Sequence, residues 1–275
     1  MGVLRKRWGV PKFDELWFRA EDRRHLATRL QPGIFRSNSA GVKRRSVKSL
    51  VKLECHFYAE FRRCAQQLSA TDAPAIQDLW DSYFLMQHYG VPTRLLDWTD
   101  GALIALHFAV RNKTSNPKNG SIVHVLDPYW LIDYLDSLPG QSDTIARWER
   151  YIDAEHPAET DKSEWDLLYL PPEDEDDLGN PLLRLPENPI LWDSPHVTRR
   201  IAAQRSRFMI FGTNLNFLIE LERAPRSHLV TLEIPRGSIN RIRLEVRDAG
   251  ISESVIFPDL DGLGRELKQE WEMKR

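Results

Sequence analysis

Polar residues in three distant segments of this chain are of the types that meet in a functional cleft. Arg19 ends an early strand-like run, Arg94, Asp97 and Thr99 crowd the entry to an apolar helix, and Glu253 stands just ahead of Val255 to Phe257, which reads as a strand. The chemistry open to them is narrowed by what is missing. No GxSxG elbow, Walker A loop or strand-borne GxGxxG occurs, which removes the simple hydrolase, NTPase and Rossmann readings. No Cys/His cluster has zinc spacing, and Asp259 and Asp261 lack the further oxygen ligands that calcium needs, so no metal is expected. Taken alone, Arg94, Asp97 and Thr99 are better accounted for by helix capping plus a buried ion pair.

These residues need elements to position them. Residues 12 to 19 read as a short strand ending at Phe18-Arg19. From Val42 to Leu68 apolar residues recur every three or four positions, which predicts an amphipathic helix whose other face carries Lys43, Arg44, Arg45, Lys48, Lys52, Arg62 and Arg63. Cys55 and Cys64, nine residues apart in that helix, fall on opposite faces and cannot pair. A second helix follows the cap candidates Thr71 and Asp72, carrying Ile76, Leu79, Trp80, Tyr83 and Phe84. Gly90 and Pro92 end it, Thr93 to Trp98 fits a strand, and Ala102 to Val110 is apolar almost all round. Further strands are expected at 121–126, 208–211 and 229–234, with helices over 128–138 and from Ser238 toward Asp248, and a charged helix at the end.

The stretch from 139 to 195 is rich in proline and acid, with five consecutive acids at 173–177, and reads as an inserted excursion. With 275 residues, 41% of them hydrophobic, one domain spanning 1–275 around that excursion is the expectation. Lys plus Arg is 38 against 40 Asp plus Glu, a formal net charge of -2, so any contact with nucleic acid must be local. The basic start lacks a signal peptide's apolar core and no long apolar run follows, which predicts a cytoplasmic protein without membrane association.

Phe18-Arg19, Leu30 to Arg36, Gln87 to Ala109, Arg200 to Phe208 and Gly250 to Gly262 resemble, in order, the blocks of the FRG-domain family. Ala20 and Glu21 depart from that family's usual Gly and Gln. The order of Arg, a Thr motif entering a helix, and a late Glu in turn resembles the layout of ADP-ribosyltransferases. That resemblance implies an α+β fold with a split central sheet flanked by helices, and transfer of ADP-ribose from NAD to a macromolecule. It makes Arg19, Thr99 and Glu253 catalytic: Arg19 grips the pyrophosphate through paired hydrogen bonds, Thr99 supports the strand edge on the nicotinamide side, and Glu253 binds the ribose hydroxyl and stabilises developing positive charge. Phe18, His88, Tyr89, Arg94, Asp97, Trp98 and Gln204 join Arg19 and Thr99 in binding NAD, which is a substrate. Gln204 enters through its spacing from Arg200, which places both on one helix face.

The basic helix favours RNA or DNA over protein as acceptor, and such an activity suits a toxin or anti-phage effector restrained by an antitoxin. Competing readings from the same residues are an NAD glycohydrolase, a nuclease, and a module that binds nucleotide or partner without turnover.

Overall fold

In the computed structural model the described residues are 1–12, 14–21, 30–36, 46–68, 79–111, 120–138, 169–172, 186–192 and 198–273. Their centre is a six-stranded antiparallel sheet in the order β4-β5-β2-β1-β3-β6, formed by β1 (Trp17–Glu21), β2 (Leu95–Thr99), β3 (Ser121–Leu126), β4 (Ile190–Trp192), β5 (Ser206–Ile210) and β6 (Leu229–Ile234). The fold is α+β as expected, with helices on both faces.

Alternation along the strands sorts the core into layers. Trp17, Leu96, Trp98, Leu126 and Met209 point to one face and pack with Leu50 of α2 (Val47–Leu68), the 3-10 turn Gly33–Phe35, α5 (Pro128–Asp136) and α7 (Phe217–Arg223). The other face divides in two. Phe18, Val123 and Val125 pack against Ala105 and Ala109 of α4 (Ala102–Val110) and Ile239 of α8 (Ile239–Asp248). Leu95, Phe208 and Ile210 pack with Trp80, Tyr83 and Phe84 of α3 (Leu79–His88) and with Tyr169, Leu170 and Trp192. Outside these layers lie α1 (Gly2–Trp8), α6 (Arg199–Ala203), α9 (Glu253–Ile256) and α10 (Leu260–Met273).

Most elements fall where the periodicity puts them. α3 ends because Gly90 takes φ 80, a left-handed conformation that glycine adopts without steric cost. Three expectations are corrected. The first strand begins at Trp17, so Phe18-Arg19 sits in its middle. The 139–195 stretch is no mere excursion: Ile190–Trp192 pairs with β5 as the outermost strand, and Tyr169 and Leu170 are core. Residues 255–257 form no strand, for Glu253–Ile256 is a single helical turn. Val42 to Arg45, Thr71, Asp72, Ile76 and the acids at 173–177 lie outside the described residues.

A buried ion pair crosses these layers. Arg94, wholly inaccessible, donates from Nε to Glu54 Oε2 at 2.5 Å, and its backbone N–H reaches Glu54 Oε1 at 2.6 Å. Its remaining guanidinium nitrogens donate to the carbonyls of Tyr169 and Phe211, and Tyr83 donates its hydroxyl to Glu54. Burial alone would lower the pKa of Arg94, but the Glu54 charge outweighs it and leaves it raised. One guanidinium thus ties together α2, α3, β2, the end of β5 and the segment at Tyr169. Replacing Glu54 with Gln leaves this cation without a counter-charge, and is expected to cost about 3–5 kcal/mol in urea unfolding. A loss below about 1 kcal/mol would contradict that account.

Candidate functional site

The sheet is weakly stitched at its middle. β1 pairs with β3 over five residues and β2 with β5 over five, whereas β1 and β2 are in register only at Phe18↔Thr99. Beyond that pair the strands separate, and the Arg19 guanidinium bridges the gap by donating to the Asp97 carbonyl at 2.6 Å. A cavity of about 210 Å³ opens here. Its floor is Phe18, Ala20, Asp97, Thr99, Ser206 and Phe208, which alternation directs to one face. Helix ends wall it: Gln87 and His88 from α3, Ala105 and Phe108 from α4, and Arg200 and Gln204 from α6.

Hydrogen bonds fix several of these side chains. Thr93 donates to Gln87 Oε1 at 2.6 Å, and the Gln87 amide donates to Asp97 Oδ2 at 2.9 Å, so the exposed Asp97 carboxylate is aimed by a relay from the end of α3. Thr99 donates to the Gln204 carbonyl at 2.7 Å and accepts from the Gly101 N–H at 3.0 Å, which commits its hydroxyl to seating α4 and α6. Gln204 in turn donates to the Ile256 carbonyl at 3.3 Å. The Trp98 indole N–H is buried and finds no acceptor among the described residues. Burial, reinforced by the nearby Arg200 charge, lowers the His88 pKa to about 4, so its imidazole is neutral at physiological pH.

Arg19 belongs to a charge cluster with Glu21 and Arg36, neither of which lines the cavity. Glu21 lies two residues beyond Arg19 on the same strand face, with Oε1 3.8 Å from Arg19 Nε and 3.6 Å from Arg36 Nη2. Its carboxylate is buried and accepts no hydrogen bond from any described residue. Burial and the Arg19 charge lower the pKa of Arg36. Two guanidiniums and two carboxylates, Glu21 and the nearby Asp97, make up the charge here.

The first half of this construction has a family. Residues 14–118, from just before β1 to just past α4, match the family model of the FRG domain. That stretch is recognised as an FRG domain. The match to the FRG domain stops before β3, so the blocks at Arg200 to Phe208 and Gly250 to Gly262 lie beyond it. No curated protein and no solved structure matches the chain.

Of the residues singled out in the sequence, the FRG domain supplies Phe18, Arg19, His88, Asp97, Trp98 and Thr99 to the cavity, and Gln204 joins them from α6. Two others are elsewhere. Tyr89 is 67% exposed just past the end of α3, and Arg94 is spent on Glu54. Gln87, Arg200, Phe84 and Phe108 also line the cavity without having been singled out as binding residues. Gln87 and Arg200 stand in the quoted blocks, and the i, i+4 spacing of Arg200 to Gln204 was the available signal.

Glu253 does not line the cavity. It is 1% exposed behind the wall formed by α6, and its carboxylate meets His107 Nε2 at 3.2 Å, Arg111 at 2.9 Å and Arg265 at 3.1 Å. Beside it the Phe257 ring lies 4.5 to 4.6 Å from the guanidiniums of Arg111, Arg200 and Arg265. Gly262 lets α10 start against this ring, since a Cβ there would sit 2.0 Å from the Phe257 carbonyl oxygen. Burial pushes the Glu253 pKa up, but the His107 hydrogen bond and the Arg111 and Arg265 contacts outweigh it and hold it at about 2. A depressed carboxylate pKa gives stability that is complete above the unfolded value near 4.5 and is lost as pH falls toward 2. Glu253→Gln is therefore expected to melt well below wild type at pH 7, with the gap closing between pH 4.5 and pH 2. A pH-independent gap in calorimetry would rule out the ionic role.

Proposed function

We propose that the cavity at the β1/β2 seam binds the nicotinamide-ribose end of NAD and that the protein transfers ADP-ribose to a macromolecule. The observation that carries this reading is Arg19 at the parted seam, with Arg36 behind it and the aimed Asp97 carboxylate beside it. The Arg19 guanidinium at the cavity matches a pyrophosphate oxygen pair. A cavity of about 210 Å³ suits one end of a dinucleotide and leaves the adenine outside.

In this reaction the bond between ribose C1′ and the nicotinamide nitrogen breaks, nicotinamide leaves with the bonding pair, and an acceptor nucleophile bonds to C1′ and gives up its proton. Asp97 is the exposed carboxylate able to stabilise the positive ribose or take that proton. Phe108 and Phe84 supply flat apolar walls. Thr99 acts by seating the β2–α4 junction, and Glu253 by holding the cations behind Arg200. Nucleic acid is the proposed acceptor class, on the exposed Lys48, Lys52 and His56 along α2. Restraint by an antitoxin, and a role as toxin or in defence against phage, are proposed with the reaction and stand or fall with it.

A second reading is binding without turnover. It is favoured by the engagement of both the Thr99 hydroxyl and the Glu253 carboxylate in structural contacts.

The deciding experiment follows NAD binding and nicotinamide release, with RNA, DNA and protein as acceptors. Arg19→Ala is expected to weaken NAD binding on the order of tenfold or more. Asp97→Asn is expected to bind NAD with turnover reduced about a hundredfold. Binding without release selects the second reading, and folded wild type that binds no NAD rejects both.

A further inference from the structure

Helix α10 is amphipathic in an inverted sense. The side turned to the body is polar: Arg265 contacts Glu253 at 3.1 Å, Glu266 accepts from the Ser252 hydroxyl at 2.7 Å and the Ser254 N–H at 2.8 Å, and Glu270 pairs with Arg247 at 2.9 Å. Its apolar residues face outward, with Leu260 86%, Leu263 44%, Leu267 56% and Trp271 55% exposed. At about 100° per residue these four fall within one sector roughly 80° wide, running the length of the helix. Leucines of a surface helix ordinarily point inward, and a continuous outward stripe marks an interaction surface.

The charges beside the stripe say what covers it. Only Asp261 and Lys268 are charged among the exposed described positions of α10, and both lie on the same flank, seven residues apart. When a second copy of the helix lies antiparallel about a two-fold axis, like flanks face each other. Asp261 then meets the other copy's Lys268, and Lys268 meets the other copy's Asp261. The same register sets Leu263 opposite Leu267 and Leu260 near Trp271. Gly264, whose Cβ position has no atom within 4 Å, lets the backbones come close at the centre. In a parallel pairing opposite flanks would face each other, and the reciprocal Asp261–Lys268 match would be lost.

We propose that the protein forms a two-fold dimer through antiparallel pairing of α10, with Leu260, Leu263, Leu267 and Trp271 as its apolar seam and reciprocal Asp261–Lys268 pairs fixing the direction. The interface is independent of the cavity at the β1/β2 seam, so its test does not depend on NAD.

Sedimentation equilibrium of the full chain, from low to high micromolar, tests this. Wild type is expected to dimerise. Leu267→Glu is expected to remain monomeric with an unchanged far-ultraviolet dichroism spectrum, because the contacts holding α10 to the body lie on its other side. Lys268→Asp is expected to raise the dimer dissociation constant on the order of tenfold, since it creates two acid–acid contacts. Combining Lys268→Asp with Asp261→Lys is expected to restore wild-type affinity, which a merely structural effect of either change would not do. A monomeric wild type overturns the proposal, whether or not the stripe binds lipid vesicles or another protein. A dimer that survives Leu267→Glu overturns it too.

Discussion

The Arg94–Glu54 pair is the contact on which the rest of the architecture depends. A guanidinium with no access to water must have its charge balanced and its N–H groups accepted, and both requirements are met by groups from chain segments far apart in sequence. Meeting them fixes α2 against the start of β2 and draws Tyr169 onto the same core. β2 then presents Asp97, Trp98 and Thr99 in a set register, and the end of α3, held through Tyr83, brings Gln87 and His88 over them. The floor and the back wall of the cavity follow from the placement of one buried cation.

Around the cavity the electrostatics are layered. Arg19 stands at the cavity with Glu21 set between it and Arg36 at 3.8 and 3.6 Å, close enough to moderate their mutual repulsion without hydrogen-bonding to either. Arg200 lies one layer behind, its guanidinium against the face of Phe257 with those of Arg111 and Arg265 nearby. Three guanidiniums around one ring would repel strongly without a counter-charge, and Glu253 provides it from a site sealed against water. The depressed Glu253 pKa is the signature of that arrangement. It stabilises the wall of the site from outside it.

The sequence read the elements well and their partnerships less well. Periodicity located α2, α3, α4 and β2 because each carries its own pattern of apolar residues, and Gly90 and Pro92 mark the boundary between α3 and β2. It offered a buried ion pair for Arg94 but counted it among the NAD contacts, because its partner Glu54 lies forty residues away among lysines and could not be named. It put a strand just after Glu253 because Val255 to Phe257 are strand formers, yet three residues are too few to resist a helical turn backed by tertiary packing. The acidic composition around Ile190 to Trp192 hid a strand that depends on β5 for its pairing. The outward stripe of α10 went unseen for a related reason: spacing shows that a helix is two-sided, but only packing shows which side the body takes.

The stretch matched by the FRG domain contains only two of the six strands, β1 and β2, and these meet in register at one residue pair. Every other ladder either strand makes is to a partner outside the match: β1 to β3, and β2 to β5. Tyr169, which accepts from Arg94, lies outside it as well. The recognisable module is therefore not an autonomous folding unit. What is recognisable as one block is completed as a sheet only by strands from the less recognisable part of the chain.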